Sequence, residues 1–313
     1  MAGVSDVACY HPLAAYKLRT GGVTFKSPST HDGDSLSLPC GNCIGCRLER
    51  SRQWSLRCVH EASLHEHNAF ITLTYNDENL PANGSLHYPD FQLFMKRLRK
   101  HYSITRGHPE YLDYLKDPKK YAIRFYMCGE YGDSTRRPHY HLCLFNCHIS
   151  DKILHTYSNS LPLFTSPTLS KLWPFGHSLI GDLTRQSAAY TARYVMKKVN
   201  GQLAESHYQN SDGTHRVPEF NRMSLRPGIA SAWYDKYHDD IHPHDKLIYQ
   251  GTKYTVPKYY DRRHKRSDPL ALAEAKAGRE AAATAAAPDN TPERLLTREA
   301  VQAERLTRLK RTL

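Results

Sequence analysis

Two short segments, AIRFYMCGEYG at 122–132 and PHYHLCLF at 138–145, are rich in β-branched and aromatic residues and are joined by the polar loop DSTRR. The pair reads as an antiparallel hairpin. It constrains the chain more than any other feature, because successive strand residues point to opposite faces of a sheet. With Ile123, Phe125 and Met127 facing a core together with Tyr140, Leu142 and Leu144, the opposite face carries Cys128, Glu130, His139 and His141. A further strand, AFITLTY at 69–75, closed by the turn signal NDENLPANG, adds Ile71 and Leu73 to the core face and Thr72 and Thr74 to the other. PDFQLFMKRLRK then places Phe91, Phe94, Met95 and Leu98 at helical spacing, with Lys96, Arg97, Arg99 and Lys100 on the other side and Pro89 in the first turn. GHSLIGDLT at 176–184 reads as another strand and runs into a helix, SAAYTARYVMKKV, at 187–199. Strands and helices mix without regular alternation, so the expected class is α+β: an antiparallel sheet with helices against it.

Two imidazoles and a carboxylate on one polar face can hold a divalent ion and leave positions for water or a phosphate oxygen. Glu130, His139 and His141 are thus the candidate metal ligands, a set that suits Mn²⁺, Zn²⁺ or, with phosphate oxygens added, Mg²⁺. A lone His-x-His in a strand is ordinarily just a half-exposed polar face. Glu130, the loop pair Arg136 and Arg137, and two tyrosines downstream favour the metal. On a helical wheel Tyr190, Tyr194, Lys197 and Lys198 share one arc, opposite an apolar stripe of Ala188, Ala192, Val195 and Val199. Tyrosines four residues apart are ordinarily helix packing, but these face away from the stripe. A phenol with a pKa near ~10 needs a cation or base beside it to act as a nucleophile, and Lys197 stands one turn on. A metal that polarises a phosphodiester, a phenol that attacks it and lysines that neutralise the charge describe transesterification of a nucleic-acid strand.

FITLTY, GEYGDSTRRPHYH and YTARYVMKK resemble, in that order, the three motifs of the HUH endonucleases, in which two histidines flank a bulky residue. More narrowly, the sequence is similar to the replication initiation proteins of the Microviridae, the small icosahedral single-stranded DNA bacteriophages, of gokushovirus type. The spacing Tyr-x-x-x-Tyr-x-x-Lys and the segment LPCGNCIGCR carry that likeness. The three motifs span about residues 66–200, and a weaker likeness that includes MSLRPGIASAW extends to about 260. The resemblance implies a central antiparallel sheet of about five strands with flanking helices, related to ferredoxin-like topologies. It implies that His139, His141 and Glu130 bind Mg²⁺ or Mn²⁺, that Tyr190 and Tyr194 are alternating nucleophiles and that Lys197 assists at the scissile phosphate, with Lys198 a second candidate. The activity implied is rolling-circle initiation: nicking and rejoining of a single-stranded DNA origin through a 5′-phosphotyrosine link. The host's helicase and polymerase would be partners, in the bacterial cytoplasm. No nucleotide-binding glycine motif is evident, and joining from a phosphotyrosine link needs no ATP.

Lys and Arg number 43 against 31 Asp and Glu, a net charge of +12, so a polyanionic partner is expected. Basic groups at RLERSRQWSLR, KRLRK, Arg136 and Arg137, Lys198 and DRRHKR would track phosphates, with binding that weakens steeply as salt rises. No apolar run long enough to span a membrane and no secretory signal is present, so no membrane partner is expected. Cys40, Cys43 and Cys46 have metal-like spacing, with Cys9, Cys58 or His60 available as a fourth ligand; structural Zn²⁺, an iron–sulfur site and plain reduced thiols all remain open. The three tryptophans read as core residues. Composition suggests a Cys-rich basic module over 1–65, an endonuclease domain over 66–266, and an Ala-rich linker with a basic helical tail over 267–313, outside the compact core. Two alternatives stand beside the leading reading: a nonenzymatic, zinc-stabilised nucleic-acid-binding protein, and an HUH transposase or relaxase.

Overall fold

The hairpin expected at 122–145 forms, and a third strand seals its other side. A computed structural model describes residues 9–18, 22–26, 35–193, 203–210 and 212–308. The first segment holds strands β1 (Leu13–Lys17), β2 (Val23–Thr24) and β3 (Ser35–Leu38) and helix α1 (Ile44–Ala62). Strand β4 (Asn68–Tyr75) precedes helices α2 (Tyr88–His101) and α3 (Tyr111–Lys116) and the hairpin of β5 (Arg124–Tyr131) and β6 (Pro138–Phe145). A second hairpin, β7 (Ile153–Ser158) and β8 (Leu161–Thr165), leads through α4 (Pro167–Leu172) to β9 (Gly176–Gly181) and α5 (Arg185–Arg193). Next come α6 (Leu203–Tyr208), β10 (Phe220–Met223) and α7 (Ser231–Tyr237). Last come the ribbon β11 (Leu247–Tyr249) and β12 (Thr252–Tyr254) and helices α8 (Lys258–Ser267), α9 (Pro269–Ala285) and α10 (Pro292–Arg308).

The chain divides into two compact units, residues 51–237 and residues 1–50 with 238–311, whereas composition suggested boundaries near 65 and 266. Two packing arrangements account for the difference. Helix α1 is continuous to Ala62, and its second half packs on the sheet of the larger unit, with Trp54 stacked on Tyr126 at 4.6 Å between ring centroids. The Ala-rich segment is no free tail either. Arg279 of α9 forks onto Asp245 and Asp261, with N–O distances of 2.5–2.9 Å.

In the larger unit seven strands form one antiparallel sheet in the order β10-β5-β6-β4-β9-β8-β7. Two more strands are present than the five expected, and both belong to the β7–β8 hairpin. Its turn, Asn159–Ser160, has positive φ at both residues, the conformation of a two-residue hairpin turn. The expected alternation holds: Ile71, Leu73, Phe125, Met127, Tyr140, Leu142 and Leu144 are buried together under α2, which contributes Phe91, Phe94, Met95 and Leu98. Trp173, after α4, is fully buried in the same layer. The other face was expected to be half wet. Instead α1 and α5 cover much of it, so that Tyr126, Cys128 and Cys143 are fully buried. The donors behind this are concrete: Ser51 Oγ of α1 donates to the Ala189 carbonyl of α5 at 3.2 Å, and Cys143 Sγ lies 3.7 Å from Thr191 Oγ1.

Two consequences are testable. A Cβ on Gly176 would sit 2.3 Å from the Thr74 carbonyl oxygen and 2.5 Å from the Asn76 nitrogen, both backbone atoms at the β4–β9 seam. Gly176→Ala should therefore cost about 3 kcal/mol or more in a urea titration. His60 of α1 is buried and stacks on Trp233 at 3.6 Å, and burial holds its imidazole down at about 3. The unfolded chain takes up a proton there below pH ~6.5 and the folded chain does not, so stability is lost as pH falls from ~6.5 towards the folded value. The slope is about 1.4 kcal/mol per pH unit. His60→Gln should flatten the acid limb of stability against pH; an unchanged slope would show that His60 already titrates normally.

Candidate metal and tyrosine site

Strand β6 presents its two histidines on either side of Tyr140, and Tyr140 is why they are fixed. Its ring is buried in the core, its hydroxyl donates to the His87 carbonyl at 2.8 Å and accepts from the His87 amide at 3.0 Å, just ahead of α2. The register pairs Glu130 with His139 and Cys128 with His141 across the β5–β6 ladder, and Thr72 with His141 across β4–β6. The three expected ligands accordingly converge. Glu130 Oε1 lies 2.7 Å from His139 Nε2 and 3.0 Å from His141 Nε2, with Glu130 1% and His141 6% exposed.

The far nitrogens of both rings are engaged. His139 Nδ1 donates to the Arg137 carbonyl at 3.1 Å, and His141 Nδ1 lies 2.8 Å from Thr72 Oγ1. Those contacts turn both Nε2 atoms towards the carboxylate, the arrangement in which a neutral imidazole offers a lone pair to a metal. Burial alone would raise the Glu130 carboxyl; hydrogen bonds and charge from His139 and His141 more than offset it and hold the group below the ordinary carboxylate value. A buried anion facing two imidazole nitrogens is a cation cage. Two nitrogens and one oxygen at this spacing match adjacent corners of a shell with bonds of about 2.1 Å, so the residues fit a divalent ion such as Mg²⁺ or Mn²⁺.

Tyr190 enters from α5. Thr184 caps that helix reciprocally with Ser187: the Ser187 amide donates to Thr184 Oγ1 at 3.1 Å and the Thr184 amide donates to Ser187 Oγ at 2.8 Å. Ala188 and Ala192 face inward as the stripe predicted, but Ser187 and Thr191 are buried as well, which widens the inward arc towards Tyr190. The half-buried Tyr190 ring therefore meets His141 edge-on, with centroids 5.1 Å apart at 85°. Phe70, on the same sheet face, stacks on His141 at 5.5 Å and meets Tyr190 at 6.2 Å. Tyr194, Lys197 and Lys198 lie outside the described residues.

The two loop arginines differ. Arg137 pairs with Asp77 at 2.6 Å and donates to the Tyr75 carbonyl at 3.1 Å, so it braces the loop that orients His139. Arg136 is exposed, at a positive φ, and reaches the His207 carbonyl at 3.4 Å. Phe70 and Thr72 were missed as site residues, although the parity that placed Thr72 on the histidine face was the signal for both. Among the described residues a second group of potential metal ligands is Cys9, Cys40, Cys43 and Cys46. Of the three candidates for the fourth position, Cys9 is the one present. Cys58 is buried deep in the larger unit, where burial pushes its thiol well up, and His60 stacks on Trp233.

This geometry agrees with comparisons to known proteins. A profile of the replication-associated protein ORF2 family matches residues 68–199, the span from β4 through the tyrosine helix. The chain belongs to the phage replication-associated proteins, as an initiator of Microviridae type. It is 35% identical over 283 residues to replication-associated protein ORF2 of Spiroplasma virus 4, covering 83% of this chain and 81% of that one. It is 32% identical over 265 residues to replication-associated protein VP4 of Bdellovibrio phage phiMH2K, covering 83% and 78%. Replication-associated protein ORF4 of Chlamydia phage 1 is 28% identical over 231 residues, 72% of this chain and 53% of that one. No solved structure matches. Among the described residues no helix is long and apolar enough to cross a membrane.

Proposed function

We propose that this chain starts rolling-circle replication by nicking a single-stranded origin and later rejoining it, with tyrosine as nucleophile. The observation that carries the reading is the juxtaposition of the Tyr190 ring, 5.1 Å from His141, with an imidazole pair held on one buried carboxylate. A divalent ion held by Glu130, His139 and His141 would withdraw charge from the scissile phosphate. Tyr190 or Tyr194 attacks phosphorus, the bond to the 3′ oxygen breaks, and the strand leaves with a free 3′-hydroxyl while the 5′ phosphate stays on the phenol. The leaving 3′ oxygen takes up a proton. Attack by a 3′-hydroxyl on the phosphotyrosine reverses each bond change and closes the strand, and two tyrosines allow the roles to alternate between rounds. Lys197 neutralises charge at the phosphate, while Arg136 and Lys198 steer the strand. In this reading the freed 3′ end serves the host's polymerase, beside its helicase, in the bacterial cytoplasm.

The test is direct. The chain is incubated with the plus strand of its phage and Mn²⁺ or Mg²⁺, and the covalently tagged peptide is sequenced. A metal-dependent adduct on Tyr190 or Tyr194 is expected. Adducts that persist in Tyr190→Phe, in Tyr194→Phe and in the double variant would overturn the assignment of the nucleophiles.

A further inference from the structure

The second ligand cluster joins segments far apart in sequence. Strands β1 and β3 pair from Leu13–Leu38 to Tyr16–Ser35, so the residues flanking that ladder, Cys9 before β1 and Cys40 after β3, come together. A turn at Gly41, whose φ of +78° suits glycine, brings the chain round to Cys43 and then Cys46 in the first turn of α1. Arg50 donates to the Gly41 carbonyl at 3.3 Å and braces that turn. The four sulfurs lie within 4.8 Å of one another.

The strands themselves supply little cohesion. Of the residues in β1, β2 and β3, Ala15 alone is buried, so a hydrophobic core does not hold this ribbon in place. Ribbons of this kind need a staple. A disulfide is not the staple, since all four cysteines are free. Instead, backbone amides converge on sulfur. Cys40 N–H donates to Cys9 Sγ at 3.2 Å, Asn42 and Cys43 N–H donate to Cys40 Sγ at 3.4 and 3.3 Å, and Tyr10 N–H donates to Cys43 Sγ at 3.4 Å. Such bonds stabilise thiolates, and four thiolates this close repel one another unless a cation lies between them. Cys9 Sγ and Cys43 Sγ, contributed by the two distant segments, are 3.9 Å apart. A tetrahedron with metal–sulfur bonds near ~2.3 Å has edges of about 3.8 Å.

We propose that Cys9, Cys40, Cys43 and Cys46 hold one Zn²⁺ as a structural clip between the β1–β3 ribbon and the start of α1. Four sulfur ligands close the coordination shell, so this metal holds structure and has no position for substrate. All-thiolate donors select zinc over Mg²⁺ and Mn²⁺, which keeps the clip chemically separate from the Glu130–His139–His141 cage. The inference does not rest on the nicking reading.

The full chain, produced without a metal-affinity tag and purified without chelator, should contain one zinc that chelation of loosely held metal leaves in place. Titration with p-hydroxymercuribenzoate should release that zinc as the four thiols react, and exchange into Co²⁺ should give the intense visible bands of a tetrahedral thiolate site. Cys9→Ser should lower the zinc content. His139→Ala/His141→Ala should keep it in full, so loss of the nicking reading would leave this result intact. If Cys9→Ser does not fold, mercurial release from the unaltered chain decides alone. Absence of zinc, iron in its place, or a disulfide among these four cysteines in the purified chain would overturn the proposal.

Discussion

His141→Ala is expected to lower metal-dependent strand cleavage by a factor of about 10³, in line with the loss of a group that stabilises charge in the transition state. His141 is the sharper target of the pair because it is nearly fully buried, touches Glu130 at 3.0 Å and contacts Tyr190 and Phe70. Its removal takes away one ligand and the surface against which the phenol rests. Thr72→Val separates the two contributions, since the hydroxyl touches only the far nitrogen of the ring, at 2.8 Å. That variant should bind Mn²⁺ roughly 10–100-fold more weakly yet approach the parent rate at saturating metal. Measured by gel assay of a labelled origin oligonucleotide across a Mn²⁺ titration, His141→Ala should stay slow at every concentration. If His141→Ala cleaved at near the parent rate, or if both variants failed equally at saturating metal, the imidazole would not have the role given to it.

The same residues show what the sequence could and could not disclose. Parity along β5 and β6 was enough to put Glu130, His139 and His141 on one face, because a strand leaves a side chain only two directions. It could not show what lay over that face. The cover is α1, which composition assigned to a separate module, and nothing in CRLERSRQWSLRCVHEA announces which sheet Trp54 will stack on. Helical angles likewise separated Tyr190 from Ala188 and Ala192. The buried arc was wider than its apolar residues, because Thr191 satisfies its hydroxyl on the Ser187 carbonyl at 3.1 Å. The β7–β8 hairpin went unread because Pro162 weakens a strand reading, although a proline is tolerated where pairing is sparse and β8 meets β9 at a single register pair. Cys9 could be named only as one of three candidates, since the pairing of β1 with β3 that delivers it is a long-range contact.

Trp173→Ala is expected to be the most destabilising single change in the larger unit, at about 3–5 kcal/mol. The side chain is fully buried, and its ring contacts Tyr75 at 5.2 Å, Phe94 at 6.1 Å, Tyr140 at 5.9 Å and Phe175 at 5.0 Å. Its indole N–H also donates to the Thr74 carbonyl at 2.9 Å, beside the β4–β9 seam that Gly176 keeps closed. Alanine would leave a cavity that four aromatic rings cannot collapse into without breaking their edge-to-face packing. For a unit of this size the loss corresponds to a fall in Tm of roughly 6–20 °C. Trp173→Phe retains most of the ring contacts and loses the N–H bond, so it should cost only about 1–2 kcal/mol. The effect should also reach the metal cage, because Tyr140 packs on Trp173 and holds β6 between the two histidines. Thermal melts and Mn²⁺ titrations of both variants check this together: Trp173→Ala should melt lower and bind the ion more weakly, whereas Trp173→Phe should lose a little stability and keep its affinity. A Trp173→Ala chain that melted within a degree or two of the parent would show that the histidine strand is held from elsewhere.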